Sequence, residues 1–519
     1  MKIERTKNAT KNIIFGTILR VYQIFVPFAL RTAIIYFLGI QYLGLNSLFS
    51  SILQVLNLAE LGVGSAMVFS MYKPIAEDDE IKINALMLLY KQYYLCIGAV
   101  ILIVGGAITP FIPKLITGEV PENINVYTLY WIQLVSTVMS YWLFAYKNSL
   151  LSAHQRTDVI SKITIIINTI TYILQFLILV FFKNYYLYVL VIPIMQIINN
   201  LLTAVVVGRM YPKYKATGNL DDAERKTINQ RVRDVFTAKL GGVVVGSADT
   251  IVISAFLGLT TLAIYQNYFY IVSAILGFIN VLNQACTAGI GNSFVTENLD
   301  KNFNDLKKLT VIYMMIANFA ACCFLNLFQP FMELWVGKEL MLNYGMVILF
   351  TVYFVAYECM SLFSLYKDAS GMWHQDRYRP LFEALLNFSL NLLMVKRLGL
   401  YGILLSTIIS MAFFSIPWLV NNLFKYVFKR DSKEYAKLIF KNIGVMLLST
   451  GISYMICSRI DLPNISELLV KLFISGAVAI TIYIALFRNS KLFLESMQLL
   501  NMACGGRTSI FIDMLSKKR

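Results

Sequence analysis

Residues 20–39 read RVYQIFVPFALRTAIIYFLG. Eighteen of the twenty are uncharged, and about 20 mostly apolar residues suffice to cross a bilayer as a helix. Arg20 and Arg31 interrupt the run. An arginine at the centre of a membrane helix costs about 2.5–3.5 kcal/mol on insertion scales, so something must use these charges.

The flanking sequence has the same character. Of 519 residues, 58% are hydrophobic and only 14% charged, against about 25% charged in soluble domains. Fourteen stretches read as spans: 13–37, 43–70, 85–109, 125–146, 160–182, 186–208, 234–257, 264–290, 309–330, 345–366, 380–395, 400–424, 438–458 and 466–487. The expectation is an all-α integral membrane protein with about 14 transmembrane helices. The first span is too long for a cleaved signal peptide, and no small-residue cleavage site follows it. Short connections leave no room for a soluble catalytic domain, which speaks against an enzyme. The seven cysteines lie mostly inside spans, without CxxC spacing. They read as small apolar residues, with no metal site and no disulfide.

The formal net charge is +16, and its placement explains it. With both termini cytoplasmic, 34 of the 45 Lys and Arg fall on the cytoplasmic side and 7 on the other, as the positive-inside rule requires. The charge orients the chain, and no nucleic-acid partner is expected. Arg20, Arg31, Lys91 and Lys239 remain inside spans.

The sequence contains itself twice. FLG at 37–39 returns at 256–258, and PFIPKLITG from Pro110 is matched by PFMELWVG from Pro330. YKNSLLSAHQ (146–155) faces YKDASGMWHQ (366–375), where the chain's two histidines, His154 and His374, coincide. KNYYLYVL (183–190) resembles KRLGLYGI (396–403). The offset is 219–220, closing to 213 at the last pair. Six helices make an even repeat, so both copies cross in the same direction, and transporters built this way hold substrate between the halves. The expected division is an N-terminal lobe with its linker (1–230), a second lobe (231–430), and an appended helix pair with a cytoplasmic tail (431–519). Each histidine lies in a cytoplasmic turn beside arginines, which suits a structural role. Two distant histidines are too few for zinc.

Eleven residues at about 100° each make three turns plus about 20°, so Arg20 and Arg31 share a face, with Gln23 and Pro27 on the same stripe. The repeat offset places Lys239, Gly242, Gly246 and Thr250 on the matching stripe of the seventh span, with Asp249 adjacent as the acid deep in that helix. In the second span Asn46, Ser50, Gln54 and Asn57 recur at helical spacing, with Glu60 close by. Asn280 and Gln284 share a face of the eighth. Lipid cannot satisfy such groups. Either the charges pair internally, Arg31 with Asp249 for instance, and fix packing, or they line a water-filled cavity. In the second case Arg20, Arg31, Lys239, Gln23, Asn46, Gln54 and Asn57 are the candidate substrate-binding residues. Three cations imply an anionic guest, and arginine suits phosphate oxygens. Lys91, beside Tyr90, Tyr93 and Tyr94, is expected to snorkel to the cytoplasmic interface. The 209–233 loop reads as a solvated linker, and ACGGRTS (503–509) as a break at Gly505–Gly506 after an amphipathic tail helix rather than a phosphate loop.

KNIIFGTILR (11–20), PFALRTAIIYFLGIQYLGLNSLFSSILQVLNLAELGVGSAMVFSMYKPIAEDD (27–79), the ADTIVISAFLG of the seventh span and the RPLFEALLN of the eleventh resemble stretches of bacterial polysaccharide flippases of the Wzx type. These belong to the multidrug/oligosaccharidyl-lipid/polysaccharide (MOP) exporter superfamily. The resemblance implies two six-helix lobes around a cationic cavity that opens alternately to each face of the bacterial cytoplasmic membrane. The implied cargo is an oligosaccharide repeat unit on undecaprenyl diphosphate, for capsule, exopolysaccharide or O-antigen assembly. The implied partners are that lipid-linked oligosaccharide, membrane lipids, a polysaccharide polymerase and glycosyltransferases.

No nucleotide-binding motif is visible and no cofactor is expected. Uphill transport would then draw on H+, Na+ or the membrane potential, with Asp249 the first ion-coupling candidate and Glu60 the second. One alternative is a multidrug or cation antiporter of the same superfamily, which would want acids facing the cavity. The other is a membrane polysaccharide polymerase or glycosyltransferase, which would want paired carboxylates on a large outer loop. Only Glu119, Glu122, Glu333 and Glu339 are scattered there.

Overall fold

A computed structural model describes residues 5–118, 120–463 and 465–503, and the regular structure among them is entirely helical. In an apolar medium every backbone N–H and C=O must find its partner within the segment, which the α-helix provides. Among the described residues twelve helices are long and apolar enough to cross a membrane, which makes this a multi-pass membrane protein. The two remaining expected spans are helices that fall short for different reasons. The fourth has only 17 residues, and the eleventh carries Arg379, Glu383, Lys396 and Arg397 among its 20.

Packing divides the chain into two compact units, Met1–Ala263 and Ile264–Arg519. The first contains α1 (Arg5–Phe37), α2 (Ile40–Leu56), α3 (Val63–Ala76), α4 (Glu80–Ile108), α5 (Val126–Trp142), α6 (Asn148–Ala153), α7 (Thr157–Phe181), α8 (Tyr185–Met210) and α9 (Asp222–Leu257). The unit ends later than the sequence repeat, which divides at 230, because α9 packs against α2 and α3. Gly44 permits the close approach of the chain just after α9: a Cβ there would overlap the Leu259 carbonyl. Ser254 Oγ donates to Leu115 O at 2.7 Å, and the Thr117 N–H to Ser254 O at 3.0 Å, tying the end of α9 to the segment after α4. Local sequence sets several helix starts. Asp79, Asn125 and Asn184 accept from the backbone N–H three residues on, at 3.0, 3.1 and 3.2 Å, the usual side-chain N-cap.

In the second unit α10 (Leu259–Thr296, entering from the first), α11 (Leu299–Val336), α12 (Tyr344–Ala369), the short α13 (Trp373–Asp376) and α14 (Arg379–Leu398) are followed by one interrupted helix. There α15 (Leu400–Ile409) and α16 (Ile416–Asn422) are joined and extended by π-helical stretches at Ser410–Ser415 and Leu423–Phe428. The appended pair, α17 (Lys433–Cys457) and α18 (Ile465–Phe487), is seated on α11 by buried amides. Asn318 Nδ2 donates to Ala479 O at 3.1 Å, and Asn326 Nδ2 to Ser453 Oγ and Ser475 Oγ at 2.7 and 3.0 Å. Such bonds between helices average about 0.6 kcal/mol in a membrane, and several act together here. The tail helix α19 (Lys491–Ala503) buries Phe493 and Met497 against Val311, Tyr483 and Phe487. Gly505–Gly506 and Glu119 lie outside the described residues.

Candidate functional site

The orientation of α1 follows from its contact with α7. Tyr22 and Thr169 share a hydrogen bond of 2.8 Å, and the Tyr22 ring stacks on Tyr172 at 5.9 Å. Arg20 is two residues, about 200°, from Tyr22, so it turns away from α7. Arg20 and Gln23 are exposed on the unit, whereas Arg31 is half-buried and within electrostatic reach of Tyr188 on α8. Arg20 and Gln23 thus project outward from the unit within the candidate span Phe15–Phe37.

On α2, Asn46 is half-buried, and Ser50 and Gln54 are exposed. Gln54 Oε1 accepts from Ser247 Oγ of α9 at 3.3 Å, which sets this stripe beside that helix. Gly242 and Gly246 are exposed on α9 and Asp249 is half-buried. The Lys239 side chain lies outside the described ones.

The second span, read as one helix over 43–70, is broken at its centre. After Leu56 comes a 3-10 turn, Asn57–Glu60, and Gly62 then takes φ +91° before α3 begins. The geometry requires glycine, since a Cβ would also lie 2.7 Å from Val232 O. Irregular backbone at this depth is tolerated where it lines a cavity or is buried in protein, and here tyrosines surround it. Tyr94 OH donates to Glu60 Oε1 at 3.2 Å, Tyr90 OH donates to Tyr94 OH at 2.5 Å, and Tyr141 OH donates to Asn57 Oδ1 at 3.2 Å. The Tyr94 and Tyr141 rings meet edge to face at 5.3 Å. Asn57 and Glu60 therefore belong to one phenol-lined cluster. Of its tyrosines, Tyr90 and Tyr94 were visible in the sequence only as neighbours of Lys91, which is exposed.

The matched histidines occupy different environments. His154 is buried, its ring 4.3 Å from that of Tyr211 and its Nδ1 2.8 Å from Leu150 O. Burial, opposed by that backbone contact, holds its pKa below the ordinary histidine value. His374 is exposed. Each turn is instead followed by a charge network. Asp158, fully buried, takes Arg156 at 2.8 Å and Lys162 at 3.4 Å. Arg379 Nε and Nη2 donate to Asp376 at 2.8 and 3.1 Å, and its Nη1 to Glu383 at 2.8 Å. The RPLFEALLN motif held two of these residues at i, i+4 spacing. No group of three or more potential metal ligands occurs among the described residues.

In the second unit a cleft of about 730 Å³ is lined by apolar side chains that include Val355, Phe413, Ile439 and Phe440.

The described residues form an all-helical membrane fold whose second span is broken. No family model matches the chain, and no curated protein matches it either. Solved structures do. The chain is similar to lipid II flippase MurJ in an inward closed conformation, with a TM-score of 0.69 and 16% identity over 92% of this chain and 99% of that one. It is similar to a multidrug resistance MATE family transporter of the MOP superfamily in its inward-facing conformation, with a TM-score of 0.61 and 14% identity over 79% and 97% of the two chains. A third is a MOP superfamily transporter from Pyrococcus furiosus described as having a binding pocket of reverse polarity, with a TM-score of 0.54 and 13% identity over 82% and 97%. The fold is that of MOP-type transporters.

Proposed function

We propose that the chain is a flippase for oligosaccharides carried on a polyprenyl diphosphate, working in a bacterial cytoplasmic membrane with both termini cytoplasmic. The observation that carries this reading is the exposed Arg20 on α1, with Gln23 one turn on and Arg31 about three turns beyond. A cation kept at membrane depth at a cost of kilocalories and turned outward from its unit is suited to an anion that arrives with the cargo. Guanidinium groups grip phosphate oxygens in pairs, Lys239 would add a third charge, and the amides Asn46, Gln54 and Asn57 offer hydrogen bonds to sugar hydroxyls. The apolar cleft of the second unit suits a lipid chain. Lobes of residues 1–230 and 231–430 would move as the halves of an alternating-access carrier, coupled to H+ or Na+ through Asp249 or Glu60, and polymerase and glycosyltransferases would be its neighbours in assembly.

A second reading rests on the Glu60 cluster. An acid ringed by tyrosines attracts lipophilic cations through charge and ring faces, which fits a multidrug antiporter. Two measurements on one strain separate the readings: build-up of lipid-linked sugar on the cytoplasmic side after depletion, and retention of ethidium. Sugar build-up with unchanged ethidium supports the flippase, and the converse overturns it.

A further inference from the structure

Glu358 lies midway along α12, is fully buried, and neither carboxyl oxygen has a hydrogen-bond partner. Among the described residues it takes part in no ion pair. A bare carboxylate in such surroundings is held only at a cost of many kilocalories, which a bound proton or a small cation removes. Polar groups lie further along α12 and on its neighbours. Ser361, on the same face of α12 one turn on, accepts from Asn283 Nδ2 of α10 at 2.5 Å, and Asn283 Oδ1 accepts from Tyr313 OH of α11. Tyr313 is within electrostatic reach of both Glu358 and Cys286. The Tyr366 hydroxyl, two turns further along α12, is buried without a hydrogen-bond partner and is electrostatically coupled to Tyr313, Cys286, Tyr435 and Asp305. Asp305 is half-buried and pairs with Lys308 at 3.3 Å. On α12 itself the neighbouring Cys359 thiol is within electrostatic reach of the carboxyl, and no titratable group of the packed 400–416 segment acts on it.

We infer that Glu358 is the site in the second unit where one neutralising cation binds and leaves, with Tyr313, Ser361 and Tyr366 lining its route toward Asp305. Ser361, Asn283 and Tyr313 are already engaged with one another, which leaves few oxygens free for the several contacts sodium needs and suits a proton better. This deepens the coupling part of the proposed function and rests on it for its purpose, but the binding itself can be tested without any cargo.

The test uses the purified full-length protein in lipid nanodiscs. Thermal unfolding is followed along two arms, a pH series at fixed choline chloride and a sodium chloride series at fixed pH, for wild type and Glu358→Gln. Glutamine mimics the neutralised acid. A wild-type midpoint that falls by several degrees as pH rises, and that becomes flat in Glu358→Gln, establishes the proton. A sodium-dependent rise abolished in Glu358→Gln establishes the site with sodium as its ion. Identical responses of the two proteins in both arms overturn the inference. Infrared difference spectra of wild type alone cover the case in which the variant does not fold. A protonated carboxyl band that vanishes on alkalinisation or sodium addition supports the site, and an invariant spectrum overturns it. Failure here leaves the flippase reading standing, since that reading is judged on sugar accumulation.

Discussion

Tyr94 gives its phenolic proton to Glu60 at 3.2 Å, joining the third predicted span to the point where the second one breaks. If this contact positions the acid for transport, Tyr94→Phe should keep membrane abundance, because the ring contact with Tyr141 survives, and lose transport several-fold. The hydrogen bond itself is worth about 0.5–1.5 kcal/mol. Glu60→Gln should lose more. Complementation of a flippase-deficient strain, scored against membrane level, decides it: normal transport by both variants would remove Glu60 from the mechanism.

The break itself depends on Gly62. Alanine there must hold a left-handed backbone, at about 1–2 kcal/mol, and its methyl meets Val232 O. Gly62→Ala is expected to lower the unfolding temperature of the detergent-solubilised protein by several degrees, while alanine at Gly16, which has open space, should not.

Arginine's planar fork should matter at positions 20 and 31. Lysine keeps the charge and loses the fork, so Arg20→Lys and Arg31→Lys should reduce transport in part and the alanine variants severely. Lys239→Arg should be tolerated better than Lys239→Ala. Abundant Arg20→Ala and Arg31→Ala proteins that transport normally would exclude the cationic mechanism.

The Asp376–Arg379–Glu383 network is nearly sealed, with exposures of 3%, 6% and 8%. Removing one member of a buried pair costs about 3–5 kcal/mol, whereas replacing all with apolar residues of similar size is often neutral. Arg379→Met should therefore deplete the protein from the membrane, and the triple change with Asp376→Leu and Glu383→Leu should restore much of it. A triple variant less abundant than the single one would show that the charges do more than pair.

His154 makes a pH prediction. Its folded-state pKa is below the unfolded value of about 6.5, so the unfolded chain binds more protons as pH falls through that range. Stability is then fully present above about pH 6.5 and declines below it. His154→Phe, which can keep the ring stack on Tyr211, should flatten the decline in a thermal unfolding series. A wild-type profile unchanged by the substitution would place the acid sensitivity elsewhere.

Much of the fold was legible because a bilayer imposes long contiguous apolar runs and leaves the backbone no alternative to the helix. The fourteen expected spans fall on helical segments, the second broken at Asn57–Gly62 and the twelfth interrupted by π-helical stretches, and the polar stripes of α1 and α2 were visible from spacing alone. The resemblance of the two histidine turns was visible too, yet His154 is buried and His374 exposed. Identity of residue does not carry identity of neighbours: Tyr211 and Tyr214 of the linker close over one histidine.

The remaining decisions belonged to tertiary structure. LNLAELG reads as helix, since nothing local forbids it except Gly62, and it breaks because hydroxyls of α4 and α5 engage Asn57 and Glu60 and α9 crowds the turn. Glu358 sits in ECMSLF, one acid inside an expected span, where the local pattern does not say whether it meets a partner, a cavity or none. α12 packs against α11 and the 400–416 segment, and in that assembly Glu358 is fully buried. Apolar runs and helical periodicity are properties of a single segment, and the sequence therefore states them. Where a polar group finds its partner, or finds none, depends on residues tens to hundreds of positions away, and only their assembly in space decides it.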